Sequence, residues 1–167
     1  AFDDTGLFYA PLNLVIPDNL VVNGGVVIIT NAGSTMYING NVLIGSIGII
    51  IAHGGSEIIS VAGDWTNTNT SALYGYGFVP GTSTVVFDNA TRNSNILGNT
   101  YFYNLTSNTP GKNLYFEAGK TQTVTNNLTL AGANYEYLYL RSTERGSYWY
   151  LDTTGATRDI HDVWVQD

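Results

Sequence analysis

Short apolar runs alternate with turns of small residues along the whole chain. No stretch of about 11 to 18 residues keeps apolar positions at helical spacing without a Gly, Asn or β-branched interruption. The recurring phrase is an apolar run, a small-residue turn and a second apolar run. Ile28-Ile29-Thr30-Asn31-Ala32-Gly33-Ser34 is echoed by Ile50-Ile51-Ala52-His53-Gly54-Gly55-Ser56 and by Leu114-Tyr115-Phe116-Glu117-Ala118-Gly119-Lys120. Looser copies start at Val85 and Leu138, and the five starts are 22, 35, 29 and 24 residues apart. Behind each turn comes a second strand, in which Ile38 and Val42, Val61 and Trp65, and Val124 and Leu128 keep a common spacing.

A repeat of about 20 to 30 residues with strands and no helix cannot bury its apolar face alone, but stacked copies can. The pattern predicts an all-β chain, a parallel β-helix or β-solenoid of about six to seven coils, with a β-sandwich as the alternative. Side chains alternate across a strand. Ile28, Ile50, Val85, Leu114 and Leu138 are therefore expected in one inward column, with Thr30, Ala52, Phe87, Phe116 and Leu140 in the next. Ile29, Ile51, Val86, Tyr115 and Tyr139 are expected to point outward. Gly33, Gly55 and Gly119 fall where the chain turns a corner at a φ that a Cβ resists. The expected organisation is one domain over residues 1–167, with 1–20 as an N-terminal cap or assembly strand and 66–83 as a loop excursion.

Composition sharpens this picture. Only 11% of the 167 residues are charged, and 20 Thr, 19 Gly and 18 Asn fill the gap. Such usage is poor in helix formers, while its abundant β-branched and aromatic residues exclude ordinary disorder. A net charge of −7 with six Lys and Arg gives no footprint for nucleic acid or an anionic membrane. Without cysteine there are no disulfides, thiolate metal sites or thiol catalysis. No apolar run reaches about 18 residues, so no membrane-spanning helix is expected. A start at Ala1-Phe2-Asp3, low Lys and high Asn, Thr and Tyr favour an extracellular or cell-surface protein, processed or cut from something longer.

The runs at residues 82–87, 101–106, 119–124 and 127–130 resemble repetitive regions of large bacterial surface proteins. So do Leu140-Arg141-Ser142, Tyr148-Trp149-Tyr150-Leu151 and Val163-Trp164-Val165. Those regions are right-handed parallel β-helices of secreted, adhesin-like and filament-forming proteins. The resemblance covers residues 82–167 well and the first half by pattern only. It implies a secreted rod, adhesive stalk or building block, and it carries over no catalytic residue.

Candidate chemistry is thin. His53 falls at a repeat corner, aligned with Asn31, Asp88, Glu117 and Arg141, which reads as a solvated position. His161 lies between Asp159 and Asp162; on a strand Asp159 shares its face and Asp162 points away. Asp64, Asp88, Asp152, Asp159 and Asp162, with Arg92, Arg141, Arg145 and Arg158, are the groups a polysaccharide-cleaving β-helix would use. No two of these acids hold equivalent same-face positions in neighbouring repeats, as paired-carboxylate chemistry needs. The expected catalytic, metal and cofactor sets are empty. Tyr115 and Tyr139 are expected to stack on adjacent coils, with Tyr101 and Tyr103 on the same surface, as an aromatic strip for sugar rings or for neighbouring subunits. Asn69, Asn89, Asn104 and Asn127 begin glycosylation sequons.

The function expected is a non-enzymatic extracellular subunit of a surface rod or filament; the alternative is a carbohydrate-binding or carbohydrate-cleaving β-helix. Its partners would be other copies of itself, with glycans as a further class. A short solenoid has two open ends with unpaired backbone groups. The N-terminal segment has Pro11 and Pro17 around an otherwise apolar strand at 12–16, and the 160–165 strand contains no Pro or Lys to blunt it. A head-to-tail homopolymer joining residues 1–16 to 160–167 is therefore expected, with Leu12, Leu14 and Ile16 meeting Ile160, Val163 and Val165.

Overall fold

The computed structural model describes residues 6–133 and 135–167, with side chains outside 73–75. The chain is a parallel β-solenoid of about 7 turns. Coil one holds β1 (Leu7–Ala10), β2 (Val15–Ile16) and β3 (Leu20–Val22). Coil two holds β4 (Val26–Ile29), β5 (Thr35–Ile38) and β6 (Val42–Ile44), and coil three β7 (Ile49–Ala52), β8 (Ile58–Val61) and β9 (Trp65–Asn67). A 3-10 helix, Ala72–Gly77, then stands outside the coil before β10 (Phe78–Val79), β11 (Thr84–Val86) and β12 (Ser94–Leu97). The remaining strands are β13 (Thr100–Ser107), β14 (Asn113–Phe116), β15 (Thr121–Ala131), β16 (Leu138–Ser142), β17 (Tyr150–Asp152), β18 (Thr157–His161) and β19 (Val163–Gln166).

Three sheets wall the solenoid. The first runs β1-β4-β7-β10, the second from β2 through β5, β8, β11, β13 and β15 to β17 and β18, and the third from β3 through β6, β9, β12, β14 and β16 to β19. Each ladder joins one coil to the next in parallel. The first sheet stops at β10, and long strands succeed it. β15 pairs with β17 through Thr121–Thr123 and with β18 through Asn127–Ala131, so one strand spans what two strands do elsewhere. Phe102 pairs with Val124 but Asn104 with Asn127, a bulge that turns the longer strand. No helix among the described residues is long and apolar enough to cross a membrane.

The core is a continuous column of side chains, including Val22, Ile44, Val61, Trp65, Phe87, Phe102, Leu114, Val124, Leu128 and Leu138. Ile38 and Val42, Val61 and Trp65, and Val124 and Leu128 are all buried, but only Val124 and Leu128 share a strand. Ile38 ends β5 and Val42 opens β6, and Val61 ends β8 and Trp65 opens β9, because the chain turns a corner between them. Inward and outward positions fall as expected in four of the five repeat copies. The first copy is out of phase: Val27 and Ile29 are buried, Ile28 faces outward and Thr30 is exposed. The true offset there is 23, with Ile29 beside Ala52 and Thr35 beside Ile58. Matching Gly33 to Gly55 was misleading, because the left-handed position of Gly33 (φ 68) is taken one coil on by Ser56 (φ 58).

The five copies also do not share one column. Ile28 and Ile50 lie in the first sheet, Val85 in the second, and Leu114 and Leu138 in the third. A coil repeats the strand-and-corner phrase on each side, so local similarity does not say which side a run occupies. Within the third sheet Leu114 pairs with Leu140, not Leu138; the neighbour of Leu138 is position 112.

Candidate functional site

The two ends of the solenoid are where core residues meet solvent. At the C-terminal end β18 lies on β15 and β19 on β16, which puts Ile160 beside Leu130, Val163 beside Leu138 and Val165 beside Leu140. Leu130, Leu138 and Leu140 are buried, so Ile160, Val163 and Val165 share an inward phase. Yet Ile160 is 44% exposed and Val165 61% exposed. A hollow of about 510 Å³ opens at Val165, lined also by Tyr148, Trp149, Leu151, Gln166 and Asp167. Its Trp149 stacks on Phe116 at 4.3 Å and 11°.

The N-terminal end is better closed. β1, β2 and β3 are each the edge of their sheet. Ile16 pairs with Ile38, and Leu14, in the same phase, is likewise partly buried against the core. Leu12 and the outward Val15 are exposed. Residues 1–5 of the expected interface lie outside the described residues.

Charge divides along the axis as well. All six Lys and Arg residues lie at or after Arg92, whereas six of the thirteen acidic residues precede it. The N-terminal half is thus purely acidic and the C-terminal half close to neutral. The arginines bond neutral partners: Arg92 donates to Asn39 O at 2.9 Å, Arg141 to Asn113 Oδ1 at 3.0 Å and to Gln166 Oε1, and Arg158 to Thr153 Oγ1 at 3.3 Å.

The four tyrosines expected in one strip fall on two sheets. Tyr115 pairs with Arg141, and Tyr139 pairs with Asn113 and Trp164, so the two tyrosines are diagonal neighbours. The Arg141 guanidinium lies over the Tyr139 ring at 5.1 Å. Tyr101 sits in β13 of the second sheet and stacks on Tyr76 at 5.3 Å, and Tyr103 is half-buried at the bulge between Phe102 and Asn104. Of the sequon residues, Asn69 is buried with Nδ2 donating to Gly48 O at 2.8 Å, which leaves no room for a glycan in the folded chain. The Nδ2 groups of Asn104 and Asn127 donate to Thr84 and Thr129 hydroxyls. Asn89 uses only Oδ1, for the N–H and hydroxyl of Thr91.

His53 is exposed. His161 Nδ1 meets Asp162 Oδ2 at 3.2 Å, the reverse of the alternation argument, because Asp162 takes a left-handed φ of 50 and folds its carboxylate back at the β18–β19 corner. Asp64 Oδ1 accepts from the backbone and side-chain N–H groups of Asn95, and Asp88 accepts from Ser60 Oγ. Among the described residues no group of three His, Cys, Asp or Glu is placed to hold a metal.

One residue escaped the sequence reading. Lys112 is 1% exposed, in inward phase with Leu114 and Phe116, and its Nζ donates to Asn89 O at 2.9 Å and Arg92 O at 2.8 Å. The alternation Lys112-x-Leu114-x-Phe116 was the available signal. Its ammonium pins the 89–92 corner from inside. Burial, partly offset by Asp88, pulls the Lys112 pKa down from 10.5 to about 8. Between these values the unfolded chain binds the proton that the folded chain releases, so stability from this group rises as pH rises above about 8. The thermal midpoint should climb between about pH 7.5 and 9.5 more steeply in the unaltered chain than in Lys112→Met. Equal slopes in circular dichroism melts would refute the assignment.

Compared in turn with family models, curated proteins and solved structures, the chain matches none of them.

Proposed function

We propose that the chain is a non-enzymatic structural subunit of an extracellular rod or filament, and that copies stack head to tail through their open ends. The observation that carries this reading is the exposure of Ile160 and Val165 directly beside the buried Leu130 and Leu140. Apolar side chains in core phase, on sheet edges with unpaired N–H and C=O groups, form a surface that another strand layer satisfies. A second copy supplies that layer without reversing strand direction. Its β2 and β3 would continue the second and third sheets next to β18 and β19. Unlike ends joined this way do not close, so the contact propagates. The expected site outside a bacterial cell rests on composition and on the resemblance of residues 82–167.

The test is assembly of the unaltered chain and of an Ile160→Asp, Val165→Asp double variant. Negative-stain microscopy and sedimentation should show end-to-end rods for the first and folded monomers for the second. Each carboxylate would enter an apolar contact at about 2 kcal/mol or more, so association should weaken about a thousandfold. The monomer's β-rich circular dichroism spectrum should persist, since both positions are already wet. A soluble monomer of the unaltered chain at high concentration, or rods indifferent to the double variant, would sink the proposal.

A further inference from the structure

Away from both ends, between the third and fifth coils, the surface is hollowed into a groove of about 570 Å³. One wall is the excursion that carries the 3-10 helix. It is fastened by two buried asparagines. Asn67 Nδ2 donates to Tyr76 O at 2.7 Å, and Asn69 Nδ2 donates to Gly48 O at 2.8 Å. Their Oδ1 atoms accept from Asn69 N at 3.1 Å and Ser71 N at 2.8 Å. The excursion ends with Tyr76 at φ 55 and Gly77 at φ 81, a left-handed pair that turns the tyrosine ring onto Tyr101. The opposite wall is equally fixed. Gly98 passes so close to Asn67 that a Cβ there would stand 1.8 Å from the Asn67 carbonyl oxygen. Gly98 N donates to Glu117 Oε2 at 2.6 Å, holding that carboxylate at the groove, and Gln122 Nε2 donates to Gly98 O at 2.7 Å.

Several polar atoms lining this groove remain unused. Lys120 lines it, and its ammonium has no hydrogen bond or ion pair among the described residues. Asn99 accepts from Thr121 N through Oδ1 and keeps its Nδ2 donors free. Glu117 keeps Oε1. Thr66, Thr70 and Tyr76 line it too, whereas the Thr68 hydroxyl is spent on Ile44 O at 3.0 Å. One carboxylate and one ammonium leave the groove neutral. A phosphate or polyanion would meet Glu117 within a chain of charge −7, and a wholly apolar ligand would strand Lys120 and Asn99 without partners.

A pyranose matches the set: adjacent hydroxyls that both donate and accept, and a C–H face suited to an aromatic ring. We infer that this groove is a binding site for a neutral saccharide, of a size suited to a short oligosaccharide. The site belongs to the middle coils and is independent of stacking at the ends, so in a rod each subunit displays one.

The experiment is titration calorimetry of the unaltered chain with cello-, xylo-, manno- and chitotetraose, with tetragalacturonate and inorganic phosphate as charged comparators. At least one neutral tetrasaccharide should bind, with saturation transfer in NMR between sugar and tyrosine ring protons. Lys120→Met and Tyr76→Ala should each weaken it at least tenfold at unchanged circular dichroism. Lys120 is only half-buried, so its variant decides the matter if Tyr76→Ala fails to fold. No binding by any neutral sugar, binding by the charged probes alone, or full affinity in Lys120→Met would overturn the inference. None of these outcomes bears on rod formation, which sedimentation reads separately.

Discussion

Leu114→Asp should leave the chain unfolded at room temperature, while Tyr115→Asp, one residue along, folds with a stability change of about 1 kcal/mol or less. Leu114 is fully buried in β14, between Ser94 of one coil and Leu140 of the next. The buried ammonium of Lys112, two residues before it on the same face, is already held by the Asn89 and Arg92 carbonyl oxygens, so a carboxylate there enters an apolar column. Its burial, added to the lost methyl contacts, exceeds about 5 kcal/mol, a large share of the 5–15 kcal/mol that usually holds a domain together. Tyr115 points the other way, is half-buried, and pairs with Arg141, while Arg145 lines the same shallow hollow. An aspartate at 115 therefore gains cationic neighbours. Urea unfolding followed by circular dichroism decides between the two faces. Equal damage from both substitutions would mean that the inward phase of β14 is wrongly assigned.

Trp65→Ala should cost about 3–5 kcal/mol, and Trp65→Phe about a third of that. The indole is fully buried where the first sheet gives way to the long strands. It packs edge-on against Phe78 at 5.0 Å and against Phe102 at 5.5 Å, and the two phenyl rings are 6.0 Å apart. Nε1 donates to Thr100 Oγ1 at 3.1 Å, the tie between β9 and the start of β13. Alanine empties this three-ring cluster and removes the tie; phenylalanine removes the tie and keeps most of the volume. Contacts in a solenoid run from coil to coil, so the loss should be local to this joint. Amide exchange in β10 and β13 should quicken more in the alanine variant than exchange in β5 or β16. Uniform acceleration along the whole chain would argue against a local joint.

Alternation made much of the interior legible. Val85-Val86-Phe87 and Leu114-Tyr115-Phe116 keep the in-out-in phase that their apolar and aromatic residues announce, and Lys112 keeps it too despite its charge. The first repeat was misread where four apolar residues run together. Val26-Val27-Ile28-Ile29 offers no polar position to mark the outward face, so the phase had to come from the corner, and Ser56 occupies there a conformation normally left to glycine. The groove was illegible for a different reason. Its walls come from residues about fifty positions apart in sequence, Thr66 to Lys120, and nothing in either segment marks it as a neighbour of the other.

From the amino-acid order alone follow the strands, their parallel stacking, the all-β class and the uneven placement of charge. These depend on side-chain alternation and on counting, which are properties of short segments. The side of the coil each strand occupies, and hence the partner of each tyrosine, came only with the tertiary structure, because three similar strands per turn satisfy the same local rules. Exposure at the ends is likewise not written in any residue. Leu140 and Val165 share one phase and one sheet; Leu140 is buried because a strand lies on each side of it, and Val165 is wet because a strand lies on only one.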